Sequence, residues 1–319
     1  MPEKRSGVAV VDKPAGMTSF DVVRKMRRLF ACRRVGHMGT LDPFATGVLP
    51  ICIGEATKII PYLGNSDREY EGTMVLGVET DTEDCTGIVT ASPGAVGVEE
   101  EDVRCTVEKF IGHQEQTPPM YSAVKINGRR LYSIAREGRV VPRKPRKIMV
   151  HAIDLDAVEI PRIRFRVHCS SGTYIRTLAA DIGRELGTGA HLESLRRTRC
   201  GEFTIGNALS LEALSGIASS GDRNGAVMSM SGALSRLPGV RVGEDLCRMI
   251  AHGREVFISG TDDPSRQRSG ESDFVKVMTR SGLLAIGKMS EERMEQVEGK
   301  GATFCFRPLR IFREGDIDR

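Results

Sequence analysis

Two features of this 319-residue chain carry the clearest chemistry. Residues 34–50 hold three glycines and two prolines in seventeen positions, together with His37 and Asp42. Such a backbone suits neither a regular helix nor a central strand. Its few charges and many apolar residues make it a partly buried, shaped loop rather than an idle surface connection, and loops held by a scaffold often carry function. The second feature is Arg176. The pattern Ile175, Leu178, Ala179, Ile182, Leu186 marks a helix that Gly187 should end, and Arg176 falls in its first turn. A cation there opposes the positive end of the helix dipole, at a cost of about 0.3–1 kcal/mol unless an anion compensates. Arg176 is therefore expected to meet a carboxylate or a phosphate.

A third signal is the placement of positive charge. The net charge is only +4, yet basic residues gather at Arg24, Lys25, Arg27, Arg28, Arg33 and Arg34, at Arg139, Arg143, Lys144, Arg146 and Lys147, and at Arg196, Arg197 and Arg199. Any one cluster suits a solvated face, whereas three together favour a nucleic-acid partner.

The elements that must position these residues follow from local patterns. Gly7 to Lys13 is a β-branched run closed by Pro14-Ala15-Gly16, hence a buried strand and a turn. Thr18 and Asp21 form a capping-box pattern ahead of Val22, Val23, Met26, Leu29 and Phe30 at helical spacing. Tyr70 to Gly77 reads as a strand leading into an acidic turn, and Val103 to Ile111 as a helix. Residues 112–146 are rich in Pro, Gly, Arg and Lys, with Tyr121, Tyr132 and a helical patch at Leu131 to Arg136. That composition suits either an arm clamping a phosphate backbone or a plain surface loop. Ile163 to Cys169 alternates as a half-buried strand with Arg164, Arg166 and His168 outward. A Ser/Gly-rich stretch at 219–225 and Leu237-Pro238-Gly239 place a domain boundary near 236, followed by one helix and short strands of a small β-rich unit.

Composition bounds the function classes. With 40% hydrophobic and 28% charged residues the chain falls in the globular range, outside the disordered and disulfide-scaffold classes. No apolar run approaches the length of a membrane helix, and no signal-peptide pattern opens the chain, so a cytoplasmic location is expected. The eight cysteines are scattered without a C-x-x-C pair, as in a reduced compartment. His168-Cys169 is the one His/Cys adjacency and is too close in sequence for a multidentate site, so no metal is expected.

Three segments then identify a family. Gly36 to Pro50 resembles the catalytic loop of the tRNA pseudouridine synthase B family, Asp12 to Ser19 its first motif and His168 to Arg176 its third, so that the resemblance covers roughly residues 6–236. It implies an α+β pseudouridine synthase fold, a mixed and mainly antiparallel sheet flanked by helices and loops. A catalytic domain would span 1–236, with a thumb arm at about 112–147, and a small β-rich PUA-like RNA-binding domain 237–319. The implied reaction converts uridine 55 of the tRNA T loop to pseudouridine by base flipping, without cofactor. Asp42 would be the nucleophile, Arg176 its cationic partner, and Tyr70 the aromatic stacking on the base and a candidate for removing the C5 proton. His37, Tyr174, Leu195 and Lys13 would contact substrate, and Arg143, Lys144, Arg146 and Lys147 the RNA backbone. The expected partner is the tRNA T stem-loop, with no membrane, no obligate protein partner and a monomeric chain. Guide-RNA-dependent relatives lack the long thumb, so the arm favours a stand-alone enzyme. A non-catalytic tRNA-binding chaperone would not need both Asp42 and Arg176.

Overall fold

The computed structural model describes residues 6–63, 66–220, 225–259, 274–280, 282–292 and 303–312. Nine strands form the main sheet: β1 (Gly7–Lys13), β2 (Val35–His37), β3 (Thr46–Ile53), β4 (Arg68–Leu76), β5 (Gly112–Gln116), β6 (Arg146–Glu159), β7 (Arg162–Cys169), β8 (Ala190–Cys200) and β9 (Phe203–Thr204). Their order is β1-β3-β8-β4-β7-β6-β5, with β2 also on β3 and β9 on β8. Every pair is antiparallel except β3 with β8, joined through Thr46 opposite Arg196 and Gly47 opposite Arg197.

The apolar run of β1 is continuous because both of its faces are covered. Ala9 and Val11, with Leu49, Ile51 and Ile53 of β3, enter a core shared with Val22, Val23 and Met26 of helix α1 (Ser19–Leu29) and with Val103 and Val107 of helix α2 (Glu100–Glu108). Val8, Val10, Val48 and Cys52 face the other way, against Leu237, Leu283, Ile286 and Phe312. A buried aliphatic side chain of this kind contributes about 1.5–3 kcal/mol. Thr18 caps α1 with the reciprocal Asp21 contact expected of a capping box. Helix α3 (Ile175–Glu185) ends at Leu186, and Gly187 takes a positive φ of 74°.

From Gly239 onward a second sheet of five strands begins, Gly239–Arg241, Val256–Ser259, Phe274–Met278, Leu283–Glu292 and Thr303–Ile311, with helix Glu244–Ala251 beside it. This is the small β-rich unit read from the sequence. Residues 221–224 of the Ser/Gly stretch and the whole of Thr261 to Ser272 lie outside the described residues.

Two expectations change. The segment 34–50 is not irregular throughout, because Thr46 to Pro50 belong to the central strand β3. Pro50 serves there through its carbonyl, which accepts from Met38 N at 2.9 Å, and Gly47 at φ +100° supplies the backbone freedom. The arm, likewise, is not loose at its ends. Gly112 to Gln116 and Arg146 to Val150 pair with each other as β5 and β6, leaving 117–145 as the connection between them, which carries a two-residue hairpin and the short helix Leu131–Ala135.

Gly47 also marks the closest backbone approach in the sheet, since a Cβ placed on it would lie 2.2 Å from the carbonyl oxygen of Arg197. Gly47→Ala should therefore lose about 2–5 kcal/mol of stability from overpacking and left-handed strain combined. Denaturant unfolding checks this, and a variant as stable as the parent would contradict the close approach.

Candidate active site

The geometry is built around Asp42, in the turn between β2 and β3. The backbone of its neighbours is clamped on both sides. Ser19, at the start of α1, accepts from Leu41 N at 2.8 Å and donates to Leu41 O at 3.0 Å. Lys13, fully buried at the end of β1, donates to Pro14 O (2.8 Å), Met17 O (2.7 Å) and Pro43 O (3.2 Å). Three carbonyls matched to one ammonium hold the turns at 14–17 and 42–43 together. Burial lowers the Lys13 pKa to about 8, with Asp42 working against that shift.

Arg176 reaches Asp42 from the first turn of α3, Nε to Oδ2 at 2.9 Å and Nη2 to Oδ1 at 3.2 Å, a two-pronged pair. The same guanidinium donates to Thr82 O at 2.6 Å and Tyr121 O at 2.8 Å, and lies 3.5 Å from Asp84. The charge at the helix start is thus compensated by carboxylates, as its position required. Burial pushes the Asp42 carboxyl above its ordinary range; Arg176 opposes this, and the charge on Asp84 adds to the rise. The bidentate arginine favours the charged form against that rise.

The remaining residues cluster unevenly. Tyr70, buried on β4, lies opposite Arg197 of β8, and Leu195 opposite Gly72 in the same pair of strands. Burial raises the Tyr70 phenol above its usual value, outweighing the nearby Arg197 and Arg68, so it stands protonated. Tyr174 caps α3, and its backbone N–H and carbonyl are both taken by the Gln116 side chain at 2.8 and 3.0 Å, which ties the base of the arm to the catalytic helix. His37 sits on β2 with its pKa lowered by burial and then by Arg197, and its Nδ1 is enclosed without a hydrogen-bond partner. A groove of about 720 Å³ opens beside this center, lined by Pro43, Phe44, Gly72, Leu195 and Arg196 among others.

The third basic cluster is partly structural. Arg197 is fully buried, donating to Val48 O at 2.8 Å and Gly39 O at 3.0 Å, so it holds the loop that carries Asp42. Arg196 pairs with Asp12 and Arg199 with Glu69. Of the arm cations, Arg143 donates to Pro118 O at 2.9 Å and has its Nε enclosed, whereas Lys144, Arg146 and Lys147 are exposed or half-exposed. Sequence reasoning missed Ser19, Asp84 and Arg197. Ser19 stood inside the recognised capping motif and Asp84 inside the recognised acidic turn, but nothing local showed that either faces the loop at 42.

Comparisons with known proteins agree with this architecture. A family model described as TruB family pseudouridylate synthase (N terminal domain) matches residues 27–175, and one described as tRNA pseudouridylate synthase B C-terminal domain matches residues 176–234. The curated tRNA pseudouridine synthase B of Syntrophotalea carbinolica is 39% identical over 97% of this chain and 99% of its own. That of Geotalea uraniireducens is 48% identical over 88% of this chain and 91% of its own. Among solved structures, a chain of a Cbf5-Nop10-Gar1 complex is similar with a TM-score of 0.72 and 28% identity, covering 98% of this chain and 86% of that one. The fold is that of a pseudouridine synthase, an RNA-modifying isomerase. The chain belongs to the TruB family of these enzymes.

Because a lysine cannot reproduce the two-pronged contact while also meeting Thr82 O and Tyr121 O, Arg176→Lys should lower turnover by about 100-fold or more. Single-turnover rates of pseudouridine formation check this; near-parental rates would show that the fork is dispensable.

Proposed function

We propose that this chain isomerises uridine 55 in the T loop of tRNA to pseudouridine, with Asp42 as the nucleophile and no cofactor. The observation that carries the reading is the bidentate Arg176–Asp42 pair, next in the chain to Pro43, which lines a groove. The reaction breaks the C1′–N1 bond, turns the base and joins C1′ to C5; C5 loses a proton and N1 gains one, with no net redox change. A carboxylate can add reversibly to the sugar or base and leave again, provided a fixed cation supports its charge in a site poor in water.

The target base must leave its stack, at a cost of a few kcal/mol. Tyr70 offers the ring on which it stacks, and its protonated phenol suits that role better than proton abstraction. Leu195 and Tyr174 wall the pocket, and neutral His37 lies against the displaced nucleotides. Lys13 serves by fixing the loop at Pro43. The arm closes on the T stem through Lys144, Arg146 and Lys147, with Arg143 shared between the RNA and Pro118 O. Residues 1–236 form the catalytic domain, and 237–319 act as a PUA-like RNA-binding domain. The setting is the cytoplasm, where the chain works as a monomer.

A second reading, the catalytic subunit of a guide-RNA particle, is favoured by the likeness to chains from H/ACA assemblies. The arm at 117–145 and its Gln116 link to Tyr174 support the stand-alone enzyme.

Asp42→Asn should abolish tritium release from T-arm RNA labelled at uridine C5 while leaving RNA affinity within about twofold, since an amide has the same shape and keeps one of the two Arg176 contacts but is a far weaker nucleophile. Replacing uridine 55 should abolish release by the parent enzyme, and turnover by the Asn variant would overturn the assignment. Neutralising Arg143, Lys144, Arg146 and Lys147 together should weaken binding and reduce the slope of log K against log salt by about 3. An unchanged slope would mean that the arm stays off the RNA.

A further inference from the structure

On the face of the main sheet opposite to that of Tyr70, three side chains carried by three neighbouring strands converge. Asp67 stands immediately before β4, His168 near the end of β7, and His151 on β6. The pairing explains the convergence. Val150 lies opposite Cys169 and Ala152 opposite His168, so a bulge makes His151 and Ala152 together oppose His168. The two imidazole rings lie 4.5 Å apart between centers and tilted by 37°.

Both Nε2 atoms turn toward the Asp67 carboxylate, His151 to Oδ1 at 3.3 Å and His168 to Oδ2 at 3.6 Å. These separations exceed a good hydrogen bond, and the His168 Nε2 is enclosed yet without a hydrogen-bond partner. They fit a different arrangement. Two nitrogens and an oxygen bound to one tetrahedral ion at about 2.0–2.2 Å lie about 3.4 Å from one another, and the three ligand atoms here all fall within 4.8 Å. Each side chain is about one-third to two-fifths exposed, which leaves room for a water as the fourth ligand.

We propose that Asp67, His151 and His168 form a binding site for a divalent transition-metal ion. Two imidazoles and one carboxylate select zinc, cobalt, nickel or copper over magnesium and calcium, which prefer all-oxygen shells. The site is separate from catalysis: its face is opposite to that of Tyr70 and Arg68, and the proposed isomerisation needs no metal. Its effect is mechanical. One ion would join three adjacent strands of the sheet, close to where β6 leaves the arm and β4 leads to Tyr70. Linear spacing could not reveal it, since 84 residues separate Asp67 from His151 (151 − 67).

The test uses the full chain, stripped with a chelator and titrated with zinc against a chromogenic competitor. One equivalent is expected to bind, with a rise in the thermal unfolding midpoint, and excess magnesium should reproduce neither. His151→Gln and Asp67→Asn should each weaken that equivalent by about 10–100-fold, the loss already seen when merely an outer-shell partner is removed. His151 is exposed at a bulge, so its variant should fold like the parent, which unfolding without metal checks. Cys85 and Cys105 are exposed thiols, so the double variant Cys85→Ser, Cys105→Ser must retain the equivalent. Zinc binding unaffected by His151→Gln and Asp67→Asn, or absence of a saturable equivalent, would overturn the proposal.

Discussion

The interaction on which the site depends is the placement of one guanidinium. Arg176 starts a helix, where its charge is unwelcome, and is buried, where an unpaired charge is prohibitive. It therefore gathers partners, and those partners come from everywhere that matters: the loop at Asp42, the acidic turn at Thr82 and Asp84, and the root of the arm at Tyr121. Electrostatic necessity at one residue thus joins three segments far apart in sequence. The same contacts that satisfy Arg176 set the orientation of the Asp42 carboxylate and oppose the burial that would otherwise neutralise it.

A second requirement is rigidity of the loop itself. A reactive carboxylate of the kind proposed for Asp42 is useful only if its backbone does not drift, and here the backbone on either side of Asp42 is gripped by side chains whose own positions are fixed by the sheet. Ser19 holds Leu41, Lys13 holds Pro43, and Arg197 holds Gly39 and Val48. Two buried cations used as donors to backbone carbonyls are a costly solution, tolerated because each satisfies several acceptors that the irregular backbone would otherwise leave unpaired. This use of charge also explains why basic clustering overstated the RNA surface. Arg196, Arg197 and Arg199 look like one binding patch in one dimension, yet a strand sends alternate side chains to opposite faces: Arg197 is buried in structural work, while Arg196 and Arg199 stay partly exposed and paired with Asp12 and Glu69.

Much of the fold was legible because its determinants are local. The β-branched run of β1, the Thr18–Asp21 cap of α1, the alternation of Ile163 to Cys169 and the glycine after α3 each follow from chemistry within a few residues, and each appears where expected. Reading residues 34–50 as irregular went too far for the same reason. Glycine and proline weaken a strand locally, but Thr46 to Ile53 is held by neighbours on both sides, β1 and β8, and that support overrides the local preference.

The residue types and motifs alone determined the family, singled out Asp42 and Arg176 as the candidate pair, and required that arginine to find an anion. These rest on short stretches of chain whose composition has few other uses. Tertiary structure alone decided which anion it finds, that Asp84 shares it, that Ser19 and Arg197 brace the loop, and that Asp67, His151 and His168 stand together. All of those facts depend on strand order and register, which bring together residues 158 positions apart, as in Gly39 and Arg197, and 184 apart, as in Asp12 and Arg196. Local sequence carries no record of such distances; the burial of the two-faced sheet sets them.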